Sequence, residues 1–215
     1  MQVAPLNFSR LAMSRTDRGI AVGMTGSGKT KLAQFLLQAF ENVLVFDAKG
    51  TLDWKDFRRY TSLRKLVSHA NSNKQTRAIY APNAEELRNE EFHEAFFKFV
   101  YTRKGTFCYV DEVYSVAYRD ELPPHYHAIL TRGRERGNGL LSSTQRPMQI
   151  PSVIMSESEF WYVFRLSMPG DRKKVQDTIG VPGDVIGSLP KHQFIYARAD
   201  TEERIGPLKL NIKTE

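Results

Sequence analysis

Residues Gly23-Met24-Thr25-Gly26-Ser27-Gly28-Lys29-Thr30 match the pattern GxxxxGKS/T, directly after the strand-like run Gly19 to Val22 and directly before a stretch of helical periodicity. A strand, a glycine-rich turn and a helix in that order confine the chain to an α/β arrangement in which the turn sits at a sheet edge. Gly26 and Gly28 let backbone N–H groups turn inward without a Cβ in the way, and Gly23 closes the strand. The helix that follows directs its positive end at the same point, so an anion is the natural occupant. Lys29 is positioned to supply a point charge to the β and γ phosphates of a nucleoside triphosphate, and the Thr30 hydroxyl can ligate magnesium. ATP and Mg2+ are therefore the expected cofactors.

The remaining sequence supports the same class. From Arg18 onward short apolar runs alternate with helical patterns, as in a mainly parallel central sheet with helices on both faces. The expected strands are Gly19 to Met24, Val43 to Asp47, Arg77 to Tyr80, Thr106 to Asp111, Gly139 to Thr144, Phe160 to Leu166 and Gln193 to Arg198. In Lys29 to Phe40, Leu32, Phe35, Leu36 and Ala39 form one apolar face; in Ala84 to Tyr101, Leu87, Phe92, Phe96, Phe97 and Val100 form another, read as core rather than as a base-stacking surface. The 215 residues hold no linker or repeat, so an N-terminal arm over 1–17 and a single domain over 18–215 are expected. No run approaches the ~20 apolar residues of a membrane span, and no signal peptide is legible, which suggests a cytoplasmic protein. The lone Cys108 sits in an apolar run and is read as core.

Phe107-Cys-Tyr-Val-Asp111-Glu112 is an apolar strand ending in two carboxylates, about 80 residues after the glycine-rich loop. Asp111 is expected to hold magnesium through its water shell, and Glu112 to orient or deprotonate an attacking water. The next expected strand, Gly139 to Thr144, leads into Gln145, an amide able to donate to phosphate and accept from water at once. Thr144 beside it is a weaker candidate. Asp47, ending the second strand, points toward the same edge, although a turn-forming role suits it equally.

In this order the motifs resemble the FtsK/HerA family of ring-shaped DNA-pumping ATPases. The stretches GMTGSGKT, FDAKGTLDW, YVDE and above all RGRERGNGLLSSTQRPMQIP carry the resemblance, which extends from about Arg18 to Ala199. It implies a RecA-like (ASCE) P-loop NTPase fold, with Gly23 to Thr30 as Walker A, Asp111 and Glu112 as Walker B, and Gln145 as the sensor glutamine. It also implies an arginine supplied across a subunit boundary, for which Arg132, Arg134 and Arg136 are the candidates. Arg146 is read as either a sensor or a structural residue.

The chain lacks the accessory modules of the larger members of that family and is similar to minimal viral genome-packaging ATPases. The resemblance thus implies ATP-driven movement of double-stranded DNA into a preformed capsid by a homo-oligomeric ring of five or six subunits, with a capsid or portal-vertex partner and a place in the host cytoplasm or at a virion vertex. Lys and Arg number 31 against 24 Asp and Glu, a net +7 that suits phosphate contacts without base reading. Candidate grips are Lys55, Arg58, Arg59, Arg64 and Lys65, and the run Arg172 to Lys174. The alternatives are a cellular or plasmid translocase and a small-molecule P-loop kinase with RGRERG as its lid.

Overall fold

A computed structural model describes residues 11–117 and 121–209. Most of the expected N-terminal arm, residues 1–10, and the end of the expected domain, residues 210–215, lie outside the described residues. The strands are β1 (Arg18–Val22), β2 (Val43–Asp47), β3 (Arg58–Tyr60), β4 (Arg77–Tyr80), β5 (Phe107–Asp111), β6 (Gly139–Thr144), β7 (Phe160–Phe164), β8 (Gln193–Arg198) and β9 (Arg204–Lys209). The helices are α1 (Lys29–Leu37), α2 (Leu63–Asn71), α3 (Ala84–Arg88), α4 (Glu90–Thr102), α5 (Pro124–Arg132), α6 (Ser152–Ser156), α7 (Pro169–Ile179) and α8 (Gly183–Ser188).

Among the described residues the strands form one sheet in the order β3-β4-β2-β5-β6-β1-β7-β8-β9. Pairing is parallel from β3 through β7, while β8 and β9 are added antiparallel. The expected mainly parallel sheet is borne out. Successive residues of the central strands belong to opposite cores, as a pleat with both faces covered requires. Ile20, Val22, Leu44, Phe46, Cys108 and Val110 pack with α2, α4, α5, α6, α7 and α8. Ala21, Val43, Val45, Phe107 and Tyr109 pack with α1, the loop carrying Leu52, Trp54 and Phe57, and Leu11 and Met13. The second face is thus covered largely by loop and by the segment before β1, which anchors through the Tyr162 hydroxyl donating to the Leu11 carbonyl at 2.7 Å.

Four sequence expectations shift. The strand β3, Arg-Arg-Tyr, was not expected, because it is short, polar and on the sheet edge, where a strand needs only one paired side. The strand β9 was hidden by Gly206-Pro207, and proline is tolerated there because it too is an edge strand. The long helix expected over Ala84 to Tyr101 is two helices. Asn89, at φ −107° and ψ 111°, breaks it, and its side chain accepts from Glu91 N as the cap of α4. Helix α1 ends at Leu37, so Ala39 is exposed rather than part of the apolar face. The aromatic stripe is core: Phe96, Phe97 and Val100 are completely buried.

Candidate active site

Parallel strands all finish at one edge of the sheet, and that edge gathers the loops after β1, β2, β5, β6 and β7. Strand β1 lies between β6 and β7, although the chain reaches β2 first; such a switch in strand order leaves a crevice beyond the carboxyl ends. The loop Gly23 to Thr30 occupies it. Gly23 N donates to the Thr144 carbonyl and Met24 N to the Arg165 carbonyl, which fastens the loop to β6 and to the end of β7.

A side chain at Gly23 would put its Cβ 2.5 Å from Phe164 Cβ, so glycine there is a packing requirement. Gly28 sits at φ 114° as the N-cap of α1 and leaves that helix end without a side-chain partner. The Ser27 hydroxyl is buried and has no hydrogen-bond partner among the described residues. Lys29, 7% exposed, spends its ammonium on the Gly23 and Met24 carbonyls at 2.6 and 3.0 Å. Burial lowers its pKa to about 8, while Glu112 and Asp111 pull in the opposite direction. An open helix N-terminus, an orphaned hydroxyl and a desolvated ammonium together make a cradle suited to an anion. Gly23→Ala is expected to force the loop off β7 and weaken ATP binding about tenfold or more, since overpacking costs ~1–3 kcal/mol. Unchanged affinity in a titration of the variant would dismiss this packing argument.

Asp111 accepts from the Tyr109 hydroxyl at 2.8 Å and the Ser143 hydroxyl at 3.1 Å, and Tyr109 also lies against Thr30. The expected magnesium ligands Thr30 and Asp111 are thereby brought into one cluster of hard oxygen donors, the chemistry magnesium takes when most of its shell is water and phosphate. Glu112, 9% exposed, adopts a left-handed backbone (φ 61°) and its N–H donates to Ser143 Oγ. Its Oε1 accepts from the Thr144 hydroxyl at 3.0 Å and from Gln145 N at 3.2 Å. Gln145 Oε1 accepts from the Thr25 hydroxyl at 2.5 Å, joining the end of β6 to the glycine-rich loop. Asp47 lies beside Asp111 in the β2–β5 register but commits both oxygens to the turn after β2, accepting from Gly50 N and Leu52 N. Sequence reasoning missed Lys49 on that turn, 3.4 Å from Glu112 Oε2, because a lone lysine beside a glycine carries no signature.

The three candidate arginines stand at the opposite edge. They precede β6, whose six residues separate them from Gln145 by roughly 20 Å of strand. Arg134 pairs with Glu159 at 2.7 Å, and Arg136 lies over the Tyr101 ring at 4.4 Å. Arg132 is exposed and makes no ion pair or side-chain hydrogen bond among the described residues. Of the basic grips, Arg59 holds the Gly50 carbonyl, Lys173 pairs with Asp177, and Lys174 donates to Ser152; Lys55, Arg58, Arg64 and Lys65 are exposed.

Arg146 is tied down. Its Nε donates to Asp171 Oδ2 at 3.0 Å, and Met148 N donates to Asp171 Oδ1 at 2.9 Å. Asp171 is 1% exposed in the first turn of α7, so one buried carboxylate fixes the loop after β6 to that helix. Asp171→Ala is expected to cost about 1–2 kcal/mol, less than a fully buried pair because Arg146 reaches solvent. A denaturation midpoint equal to that of the parent chain would rule out this tethering role.

No protein-family model matches the sequence. The chain is 33% identical over 96 residues to "DNA packaging ATPase P9" of Enterobacteria phage PRD1, an aligned segment that spans 41% of each protein. It is 24% identical over 181 residues to "Protein P9" of Pseudoalteromonas phage PM2, covering 82% of this chain and 83% of that one. In structure it matches the genome packaging NTPase B204 from Sulfolobus turreted icosahedral virus 2, solved with AMPPCP, at a TM-score of 0.74 and 19% identity over 90% of this chain and 98% of that one. The bacterial conjugative coupling protein TrwBΔN70 matches at a TM-score of 0.68 and 10% identity, over 94% of this chain and 86% of that one. The chain is thus related in sequence to the phage P9 proteins and shares its fold with the packaging NTPase B204 and the coupling protein TrwBΔN70.

Proposed function

We propose that this chain is an ATPase that drives double-stranded viral DNA into a preformed capsid, acting as one subunit of a homo-oligomeric ring. The observation that carries the reading is the approach of Glu112 and Gln145 to the Gly23 to Thr30 loop in a chain homologous to a protein named as a DNA packaging ATPase. A carboxylate at that position is what separates hydrolysis from mere nucleotide binding.

The loop N–H groups, Ser27 and the N-terminus of α1 would receive the phosphates, and Lys29 would exchange its two loop carbonyls for phosphate oxygens. Thr30 and Asp111 would hold a magnesium ion, Asp111 through water; when bound, the ion neutralises charge developing on the phosphates. Glu112 would orient a water and take its proton, and Gln145 would turn from Thr25 to the terminal phosphate. Arg132 of a neighbouring subunit would complete the site. Exposed basic side chains would grip the DNA backbone without reading sequence, in keeping with the net charge of +7. A capsid or vertex protein would then anchor the ring in the infected cytoplasm.

Phosphate release measured with and without double-stranded DNA tests the reading. ATP hydrolysis stimulated by DNA of any sequence is expected, together with DNA-dependent oligomerisation in sedimentation. A monomer that hydrolyses ATP at full rate without DNA would sink the motor, and transfer of the phosphate to a small-molecule acceptor would make it a kinase.

A further inference from the structure

The turn after β2 is held from two sides. Asp47 accepts from Gly50 N at 2.9 Å and from Leu52 N at 2.8 Å, while Arg59 Nη2 reaches across from β3 to the Gly50 carbonyl at 2.7 Å. With Gly50 at φ 65°, this fixes the backbone that carries Lys49. The Lys49 side chain is 42% exposed and its ammonium lies 3.4 Å from Glu112 Oε2. The other oxygen of Glu112 is engaged by the Thr144 hydroxyl and Gln145 N. Both carboxylate oxygens are therefore occupied, and the charge that would draw a proton from water is partly offset.

We propose that Lys49 is a positioning residue whose ammonium, even with nucleotide bound, is shared between Glu112 and the terminal phosphate, and that Glu112 activates water only while the ammonium stands on the phosphate, the position that DNA binding favours. The proposal rests on the ATPase reading above. Partner exchange is favoured because the pair is long and solvent-touched, the kind of ion pair that contributes least, whereas a terminal phosphate carries more negative charge than a carboxylate. Once released, Glu112 Oε2 accepts a proton from water as the water oxygen forms a bond to the γ-phosphorus. The bond from that phosphorus to the bridging oxygen breaks, and its electron pair leaves with ADP; the proton then passes from Glu112 to solvent or to the phosphate.

The test compares ATP hydrolysis by the full chain, Lys49→Gln and Lys49→Arg, each without and with double-stranded DNA, alongside their thermal midpoints. Lys49→Gln is expected to raise the DNA-independent kcat about fivefold, raise the KM for ATP through the lost phosphate contact, and narrow the stimulation by DNA. Lys49→Arg, which keeps the cation, is expected to restore the low basal rate. Lys49 is exposed enough that neither change threatens folding, and damage to the fold would lower kcat rather than raise it. An unchanged or lowered basal kcat in Lys49→Gln overturns the restraint while leaving the ATPase reading intact, provided the parent chain turns over. A parent chain that does not hydrolyse ATP overturns both.

Discussion

Glu112→Gln is expected to lower ATP turnover about 10²- to 10⁴-fold, the usual contribution of a positioned general base, while ATP binding stays within about threefold of the parent chain. The substitution keeps the shape of the side chain. Its amide oxygen can still accept from the Thr144 hydroxyl and Gln145 N, so the left-handed backbone at φ 61° and its neighbours have no reason to move. The proton acceptor is lost, and Lys49 loses its charged partner. Turnover in single-cycle kinetics, set beside the affinity for a non-hydrolysable analogue, separates the two effects. A variant that turns over at even a third of the parent rate would remove Glu112 from the proposed mechanism. Lys29→Ala supplies the contrast, since it removes a phosphate contact and should weaken binding and turnover together.

Arg132→Ala carries the second large expectation: a fall in kcat of about 10³-fold or more under conditions where subunits assemble, the scale on which a finger arginine acts. The three candidate arginines lie at the edge of the sheet remote from the chain's own glycine-rich loop, so any of them would serve a neighbour's site. Arg134 is occupied by Glu159 and Arg136 by the Tyr101 ring, whereas Arg132 is exposed and uncommitted among the described residues. Mixing provides the decisive measurement. Subunits with Arg132→Ala have an intact cradle and those with Lys29→Ala an intact arginine, so inactive partners should regain part of the activity when combined. No recovery, with Arg134→Ala recovering instead, would transfer the role to Arg134.

Much of the candidate site's layout was legible because its residues stand at the ends of apolar runs at fixed spacing. Gly23 to Thr30, Asp111 with Glu112, and Gln145 each end or follow an apolar run, and parallel pairing alone brings the ends of such runs to one edge. Thr144, the weaker candidate, proves to touch Glu112. Lys49 was invisible because its partner is set by pairing between β2 and β5, a contact across more than sixty positions. Among elements, β3 and β9 were missed because edge strands need neither an apolar run nor alternation, and the break at Asn89 because a capping side chain outweighs an otherwise continuous helical stripe. The uneven cover of the sheet was also unreadable: nothing in the periodicity says that the 52–57 loop and Leu11 join α1 in covering one face.

The central place of β1 has a consequence for how the molecule is made. Its residues pair with β6 and β7, Arg18 with Leu140 and Gly19 with Phe160, so its neighbours are translated about 120 to 140 residues after it. At ribosomal rates of about 5–20 residues per second, the strand that begins the glycine-rich loop waits on the order of ten seconds for a partner. During that interval Ile20, Ala21 and Val22, which end fully enclosed, have no sheet to join, while β2 and β4 are already able to pair. Among the described strands β1 is thus the one that waits longest for a partner, and the glycine-rich cradle forms only once β6 and β7 have been made.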